Sequence, residues 1–285
     1  MNHRFVRDNS GEYPVHALCR TLGLSRGGYY GWLRRPVRGG ANARLLAEMR
    51  AEFAESRNSY GRRRMHVALG RRGIRCGKRR VGSLMREQGL VPTHRRKFRI
   101  TTQSDHAFPT APNLLDRDFT VGEPNRKWTT DVTYVPTREG WLYLAVVIDL
   151  YSRYVVGWGM GDRADGELVM DALKMAVRRR NPGAGLVHHS DRGVQYACGN
   201  YRRALESNGF LCSMSRKGDC WDNAVTESFF HTLKVEMVNQ RDYQTRKEAM
   251  SDIFEYLEVF YNRRRLHSTL GYKSPADYER LTSLS

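Results

Sequence analysis

The sequence predicts an α/β protein, a mixed β-sheet covered by helices, preceded by an all-α region with helix-turn-helix outlines. Three observations carry this. Apolar runs at Thr129–Val135 and Trp141–Asp149, joined by the turn Pro136–Gly140, read as a hairpin, and Arg153–Met160 reads as a third strand of a meander. Downstream, short strand-like segments alternate with helix-like ones. Upstream of about residue 95 the apolar residues recur only at helical spacing.

Taken in order, Val15–Leu22 has apolar residues at Val15, Leu18, Cys19 and Leu22. Gly23-Leu24-Ser25 punctuates, and Ser25 is positioned to cap a second helix through Tyr29, Tyr30 and Trp32. Gly27 and Gly28 weaken that helix by ~1 kcal/mol each if they fall in its interior. Helix, glycine-containing turn, helix is a helix-turn-helix outline. It recurs in Ala43–Ser56, Gly61–Gly70 and Lys78–Gln88, where Val81, Leu84 and Met85 point inward. Residues 94–123, with Arg95, Arg96 and Lys97 followed by an aperiodic Thr/Ser/Asp/Pro stretch, read as a basic linker. Beyond the meander, Asp165–Arg179 is helical, with Val169, Leu173, Ala176 and Val177 as its stripe. Leu186–His189 and Phe210–Ser213 read as strands; Asn200–Ser207, Asn223–Val235 and Thr245–Arg263 read as helices. The expected organisation is therefore a helix-turn-helix-like segment (1–40), a second helical segment (41–95), a basic linker (96–123) and an α/β core with C-terminal helices (124–285).

Composition narrows the function. With 40% hydrophobic residues the chain is not disordered throughout. The apolar run Trp141–Ile148 stops at Asp149, far short of the ~20 residues of a membrane span. The N-terminus lacks the apolar stretch of a secretory signal. Cys19, Cys76, Cys198, Cys212 and Cys220 have neither zinc-ligand nor disulfide-framework spacing, so a reducing cytoplasm is expected. The net charge is +18, and residues 1–120 carry 25 Lys and Arg against 9 Asp and Glu. So concentrated an excess points to a polyanion, most often nucleic acid, and marks the second helical segment (41–95) as DNA-binding. The candidate contacts are Arg62, Arg63, Arg64, Lys78, Arg79 and Arg80, the Arg95–Lys97 run, and a late cluster at Arg263, Arg264 and Arg265 near His267.

Three acids stand out by placement: Asp131 interrupts the first strand, Asp191 follows Leu186–His189, and Glu227 sits on a helix. A carboxylate at a buried strand is costly unless compensated. A divalent cation is one compensator, and Mg²⁺ prefers carboxylate oxygens while leaving positions open for phosphate. Capped turns and surface ion pairs are the bland alternative for each acid taken singly. Lys234, seven residues past Glu227, returns to the same helix face, with His231 between them. This stripe is a phosphate contact beside a metal site or an ordinary charge ladder. Asp149, His188 and His189 read as a turn residue and packed histidines, Asp222 or Asn223 as a helix cap, and Trp128 and Trp141 as core.

The set Asp131, Asp191 and Glu227, with 35 residues between the last two and a Lys seven beyond, resembles the acidic triad of the retroviral integrase and transposase superfamily. Its flanking words are Asn125-Arg126-Lys127-Trp128-Thr129-Thr130-Asp131, His189-Ser190-Asp191-Arg192-Gly193, the stretch from Ser213 to Asn223, and Tyr261-Asn262-Arg263-Arg264-Arg265. They resemble the OrfB transposase of a large bacterial insertion-sequence family. The resemblance implies that residues 124–285 are a ribonuclease H-like integrase catalytic core holding two Mg²⁺ ions (Mn²⁺ as substitute) on Asp131, Asp191 and Glu227. It implies cleavage of double-stranded DNA at terminal inverted repeats and transfer of the 3′ hydroxyl into target DNA. No covalent protein–DNA intermediate is implied. It further implies a homo-oligomer, at least a dimer on DNA, and an upstream OrfA partner or a fusion with it. The chain is expected to be the downstream product alone, cytoplasmic and nucleoid-associated. The alternative is a non-catalytic helix-turn-helix regulator with a relic core.

Overall fold

The structure is a computed structural model describing residues 2–34, 39–93, 111–216 and 220–282, without the side chains of 39–41, 220 and 221. It divides into two compact units, Met1–Glu48 and Met49–Ser285. Arg95, Arg96 and Lys97 lie outside the described residues, as does most of the expected linker.

The first unit contains α1 (Asn2–Asp8), α2 (Val15–Thr21) and α3 (Arg26–Leu33). Val6, Cys19 and Tyr29 form its small core, with Leu18, Leu22 and Trp32 packed around them. Ser25 caps α3, its hydroxyl accepting from the Gly28 amide at 3.0 Å. Gly27 and Gly28 thus occupy the first turn rather than the interior. The boundary between units falls inside α4 (Gly39–Glu55).

In the second unit, α5 (Arg62–Arg71) and α6 (Lys78–Glu87) bury Met65, Ala68, Leu69, Val81, Leu84 and Met85. These helices belong to the same compact unit as the sheet. Tyr60 explains the attachment: its hydroxyl donates to the Arg264 carbonyl at 3.3 Å and accepts from the Leu266 amide at 2.8 Å.

Five strands follow: β1 (Lys127–Thr137), β2 (Gly140–Asp149), β3 (Val155–Gly161), β4 (Val187–Ser190) and β5 (Leu211–Met214). Their order is β3-β2-β1-β4-β5, antiparallel through the meander and parallel from β1 to β4 and β5. This is the expected mixed sheet. Pro136 pairs with Trp141 inside the hairpin, so the turn is shorter than the sequence implied. Trp128 is fully buried as expected, but Trp141 is 49% exposed; at the open end of the hairpin it meets Tyr134 edge-on with ring centroids 4.8 Å apart.

Helices cover both faces. On one lie α7 (Gly166–Arg180), α8 (Val194–Ala197) and α9 (Gly199–Ser207), packed on Trp128, Ala145, Val147 and Val156. Gly157 permits the contact, since a Cβ there would lie 2.2 Å from the Ala172 carbonyl oxygen of α7. On the other lie α10 (Ala224–Glu236) and α11 (Arg246–Glu255), packed on Val135, Leu144, Val146 and Ile148. The helix expected to reach Arg263 instead passes into a π-helical stretch, Tyr256–Tyr261. Just past it, the Asn262 side chain accepts from the Val155 amide at 2.9 Å and donates to the Val155 carbonyl at 3.1 Å. The last helix is α12 (Pro275–Thr282). Residues 111–123 are not a free linker: Leu115 is 1% exposed, Leu114 donates to Ser213 Oγ at 2.9 Å, and Asn113 donates to Asp222 at 2.9 Å. No described helix is long and apolar enough to cross a membrane.

Candidate active site

Strand pairing brings two of the three predicted acids to one place. β1 and β4 are neighbouring parallel strands, with Thr129 opposite His189. Asp131 and Asp191 each lie two residues beyond that pair, at the same level of the sheet. Side chains two apart along a strand share a face. Thr129 faces α10, so Asp131 does too. Asp191 Oδ1 accepts from the Gly193 amide at 2.9 Å, which fixes it at the turn after β4. Asp131 Oδ1 accepts from the Val132 amide at 2.7 Å.

Glu227 comes from α10, and the helix start is pinned to β1. Asn223 Nδ2 donates to the Thr130 carbonyl at 3.2 Å, and Asn223 Oδ1 accepts from Thr129 and from Thr226, the latter at 3.0 Å. Thr129 and Thr226 hydroxyls meet at 2.9 Å. Thr130, on the other face, meets Tyr196 Oη at 3.2 Å. All these groups are buried. Asn223 stands at the N-cap position, but its side chain does not cap α10. Asp222 does not cap either. It is fully buried and gathers Asn113, Arg117 and Arg216. Burial works against its charge, yet the Arg216 and Arg117 contacts hold its pKa down at about 2.

The three carboxylates are each half-buried, and they repel one another. Burial, then the charges of Asp191 and Glu227, push the Asp131 carboxyl well above the usual range. Burial and Asp191 raise Glu227. Lys234 stands beside them, its ammonium 4.7 Å from the Tyr134 ring centroid; burial lowers its pKa and Asp131 opposes that. The predicted acids and Lys234 are thus gathered into one electrostatic neighbourhood.

This donor set fits hard divalent cations. All three donors are carboxylates acting on one another, and all remain partly open to solvent. Among the described residues, no three His, Cys, Asp or Glu side chains form a ready-made cluster for a single ion. Mg²⁺ is commonly held by one or two carboxylates, with waters and phosphate completing its shell.

The other candidates separate cleanly. Asp149 is a turn residue, accepting from the Asn125 and Tyr151 amides at 2.8 and 2.9 Å, with its carboxyl pushed up to about 6 by burial. His188 bonds Tyr201 at 2.7 Å and His189 bonds Ser213 and Ser215 at 2.8 and 3.1 Å. Burial lowers their pKa values to about 3 and about 4, so both are neutral packing groups. Arg62, Arg63, Lys78, Arg79, Arg80, Arg263 and Arg264 are exposed. Arg265 is not a surface contact: it is 4% exposed and forms a two-pronged pair with Glu236 at 2.7 and 2.8 Å. Arg64 is partly buried, 3.9 Å from the same carboxylate. The Arg263-Arg264-Arg265 run reads as uniformly basic in sequence because the pairing carboxylate lies 29 residues away. The sequence reading also treated Asn223 only as a cap, since a strand partner 93 residues upstream leaves no local signal.

The integrase core domain family matches residues 122–220, and a second integrase core domain family matches residues 227–282. An HTH-like domain family matches residues 41–98. The chain is 46% identical over 263 residues to the insertion element IS600 uncharacterized 31 kDa protein of Shigella sonnei, covering 92% of this chain and 97% of that protein. It is 39% identical over 283 residues to transposase InsF for insertion sequence IS3A of Escherichia coli strain K12, covering 98% of each. Among solved structures, a chain of the simian T-cell lymphotropic virus intasome in complex with PP2A regulatory subunit B56 gamma aligns with a TM-score of 0.48 at 15% identity. That alignment covers 75% of this chain and 70% of the other.

Proposed function

The chain belongs to the IS3-type insertion-sequence transposases with an integrase core, and on that premise we propose that it cleaves and joins DNA with Asp131, Asp191 and Glu227 as its catalytic acids. The observation that carries this reading is the register of β1 and β4, which sets Asp131 and Asp191 level, with Glu227 brought to them by α10.

The three acids fit two Mg²⁺ ions, with Mn²⁺ as substitute. Asp131 and Asp191 would share the ions, and Glu227 would hold the second. Such ions supply charge stabilisation for both the attacking and the leaving oxygen of an in-line displacement at phosphorus. The chain's own groups do the rest. Asn223 holds Glu227 in register with Asp131. Lys234 sets a positive charge beside Asp131, where a phosphate of the scissile strand meets it. The same site serves end cleavage and 3′-hydroxyl transfer, since both reactions displace an oxygen at phosphorus.

The exposed cations of α5 and α6, Arg62, Arg63, Lys78, Arg79 and Arg80, are proposed to grip double-stranded DNA through its phosphates. Terminal inverted repeats and target DNA are the substrates, in the bacterial cytoplasm at the nucleoid. At least a dimer joins two ends, with an upstream OrfA product or a fusion with it as partner.

The test is cleavage and strand joining on the element's own end DNA with Mg²⁺ or Mn²⁺, with and without the upstream partner. Asp131→Asn, Asp191→Asn and Glu227→Gln should each abolish joining while leaving DNA binding intact. DNA binding by the wild type without joining under any condition would instead support a regulator.

A further inference from the structure

A cavity of about 260 Å³ lies beside the N-terminal half of α10, within the second unit. Arg64, Arg153, Arg265 and His267 form part of its wall, with Ala224 and Ser228 of α10. Three features set it apart from an ordinary gap in packing.

The first is Arg153. Its Nη1 is buried and has no hydrogen-bond partner. A buried donor left without an acceptor costs about 1–3 kcal/mol, and more on a charged group. The residue also sits in the left-handed region, at φ 62°, in the turn between β2 and β3. That conformation is uncommon for a residue with a long side chain. Asp149 acts on Arg153 through space, but its carboxylate is already committed to the Asn125 and Tyr151 amides. Tyr261 and Asp149 offset this cost only through space, leaving Nη1 without a bonded acceptor, and strain of this kind is characteristic of sites that bind something.

The second is the balance of charge. Three guanidiniums line the cavity; Arg265, in two prongs, and Arg64, at 3.9 Å, share Glu236, while Asp149 acts on Arg153 only through space. Two arginines thus share one carboxylate, and the third has no carboxylate in hydrogen-bond contact with its buried Nη1.

The third is the set of further donors. A guanidinium only donates, so the 3.3 Å contact from Arg265 Nη1 makes His267 Nε2 the acceptor and puts the ring proton on Nδ1. Burial and the three arginines keep this imidazole neutral. Asn223 is committed to β1, so the first-turn amides of α10 receive no side-chain cap. Uncapped helix N-termini and guanidinium forks are both suited to tetrahedral oxyanions.

We propose that this cavity is a binding site for a phosphate oxyanion, presented by the DNA backbone, with Arg153 as its principal ligand. The oxyanion chemistry follows from the cavity alone; the DNA source rests on the proposed function. Ser228 follows Glu227 in the chain, so a phosphate seated here holds the DNA against the helix that carries the third catalytic acid.

The test uses the full chain in chelator at constant ionic strength. Replacing chloride with inorganic phosphate should raise the wild-type Tm by several degrees. Arg153→Asn, which tolerates the left-handed turn, should erase that rise while matching or exceeding the wild-type Tm in chloride. Arg153→Lys, which keeps the charge, should retain part of it and serves if the Asn variant folds poorly. On end DNA, Arg153→Asn should weaken binding about tenfold and lower the slope of log K against log salt by about 1. Phosphate acting no differently from chloride on the wild type would overturn the site, as would undiminished phosphate stabilisation in Arg153→Asn. A phosphate effect lost in the variant with an unchanged DNA slope would overturn DNA as the source and leave a free oxyanion. Strand joining by the wild type is read separately, so failure here is distinguishable from failure of the catalytic triad.

Discussion

Asn223 Nδ2 donates to the Thr130 carbonyl oxygen at 3.2 Å, one residue before Asp131. This bond ties the start of the helix carrying Glu227 to the strand carrying Asp131. Asn223→Ala removes it together with the acceptor for Thr129 and Thr226. Each buried polar group left unsatisfied costs about 1–3 kcal/mol. Thermal unfolding should therefore occur at lower temperature. A misplacement of Glu227 by ~1 Å should reduce joining about 100-fold. Equilibrium DNA binding should be unchanged. Wild-type joining rates in a destabilised Asn223→Ala would show that the tie is structural only.

Asp149 gives a pH signature away from the triad. Burial raises its folded pKa to about 6 from about 3.8, so the folded state holds its proton more tightly than the unfolded state. The stabilisation from protonation is complete below about pH 3.8 and is lost as pH rises through about 6. In Asp149→Asn this component is absent. The difference in stability between wild type and variant should shift by about 2–2.5 kcal/mol against the wild type from pH 4 to 7. His188 and His189 have the opposite sign, losing stability as pH falls below 6.5, and cancel in the difference. A flat difference profile would contradict the buried assignment of Asp149.

The Glu236–Arg265 pair is fully buried, and Arg64 and the Tyr256 hydroxyl share the same carboxylate. Breaking a buried pair by removing one partner typically costs about 3–5 kcal/mol. Glu236→Gln should lower Tm by roughly 10 °C in a unit of this size. Calorimetric unfolding measures this directly, and a change within the range of ordinary surface substitutions would contradict the pair's role.

Much of this molecule is legible in its sequence, for physical reasons. Apolar runs placed every strand of the sheet, and those of the meander are each buried on at least one face. Asp131 and Asp191 stood out because strand interiors and strand ends rarely tolerate charge, whereas Glu227, on a helix, was picked out by its spacing from Asp191 and Lys234. Relations over long sequence distances were not legible. The Tyr60 attachment to Leu266 crosses 206 residues, so the second helical segment read as separate from the sheet. The docking of residues 111–123 depends on Asp222 and Ser213, which no local pattern announces. Arg265 read as a surface cation for the same reason. Trp141 read as core because its neighbours are apolar, yet it lies at the open hairpin end.

The measurement that bears most directly on the proposed metal site is the effect of Mg²⁺ and Mn²⁺ on Tm, in the wild type and in Asp131→Asn, Asp191→Asn and Glu227→Gln. The wild type should be stabilised by either ion, since a cation relieves the repulsion among three half-buried carboxylates. In chelator, Asp131→Asn should be at least as stable as the wild type, because its charge opposes folding at neutral pH. Each variant should lose most of the metal-induced shift, in parallel with strand joining. A wild-type-sized shift retained in any one variant would contradict that residue's place in a common site.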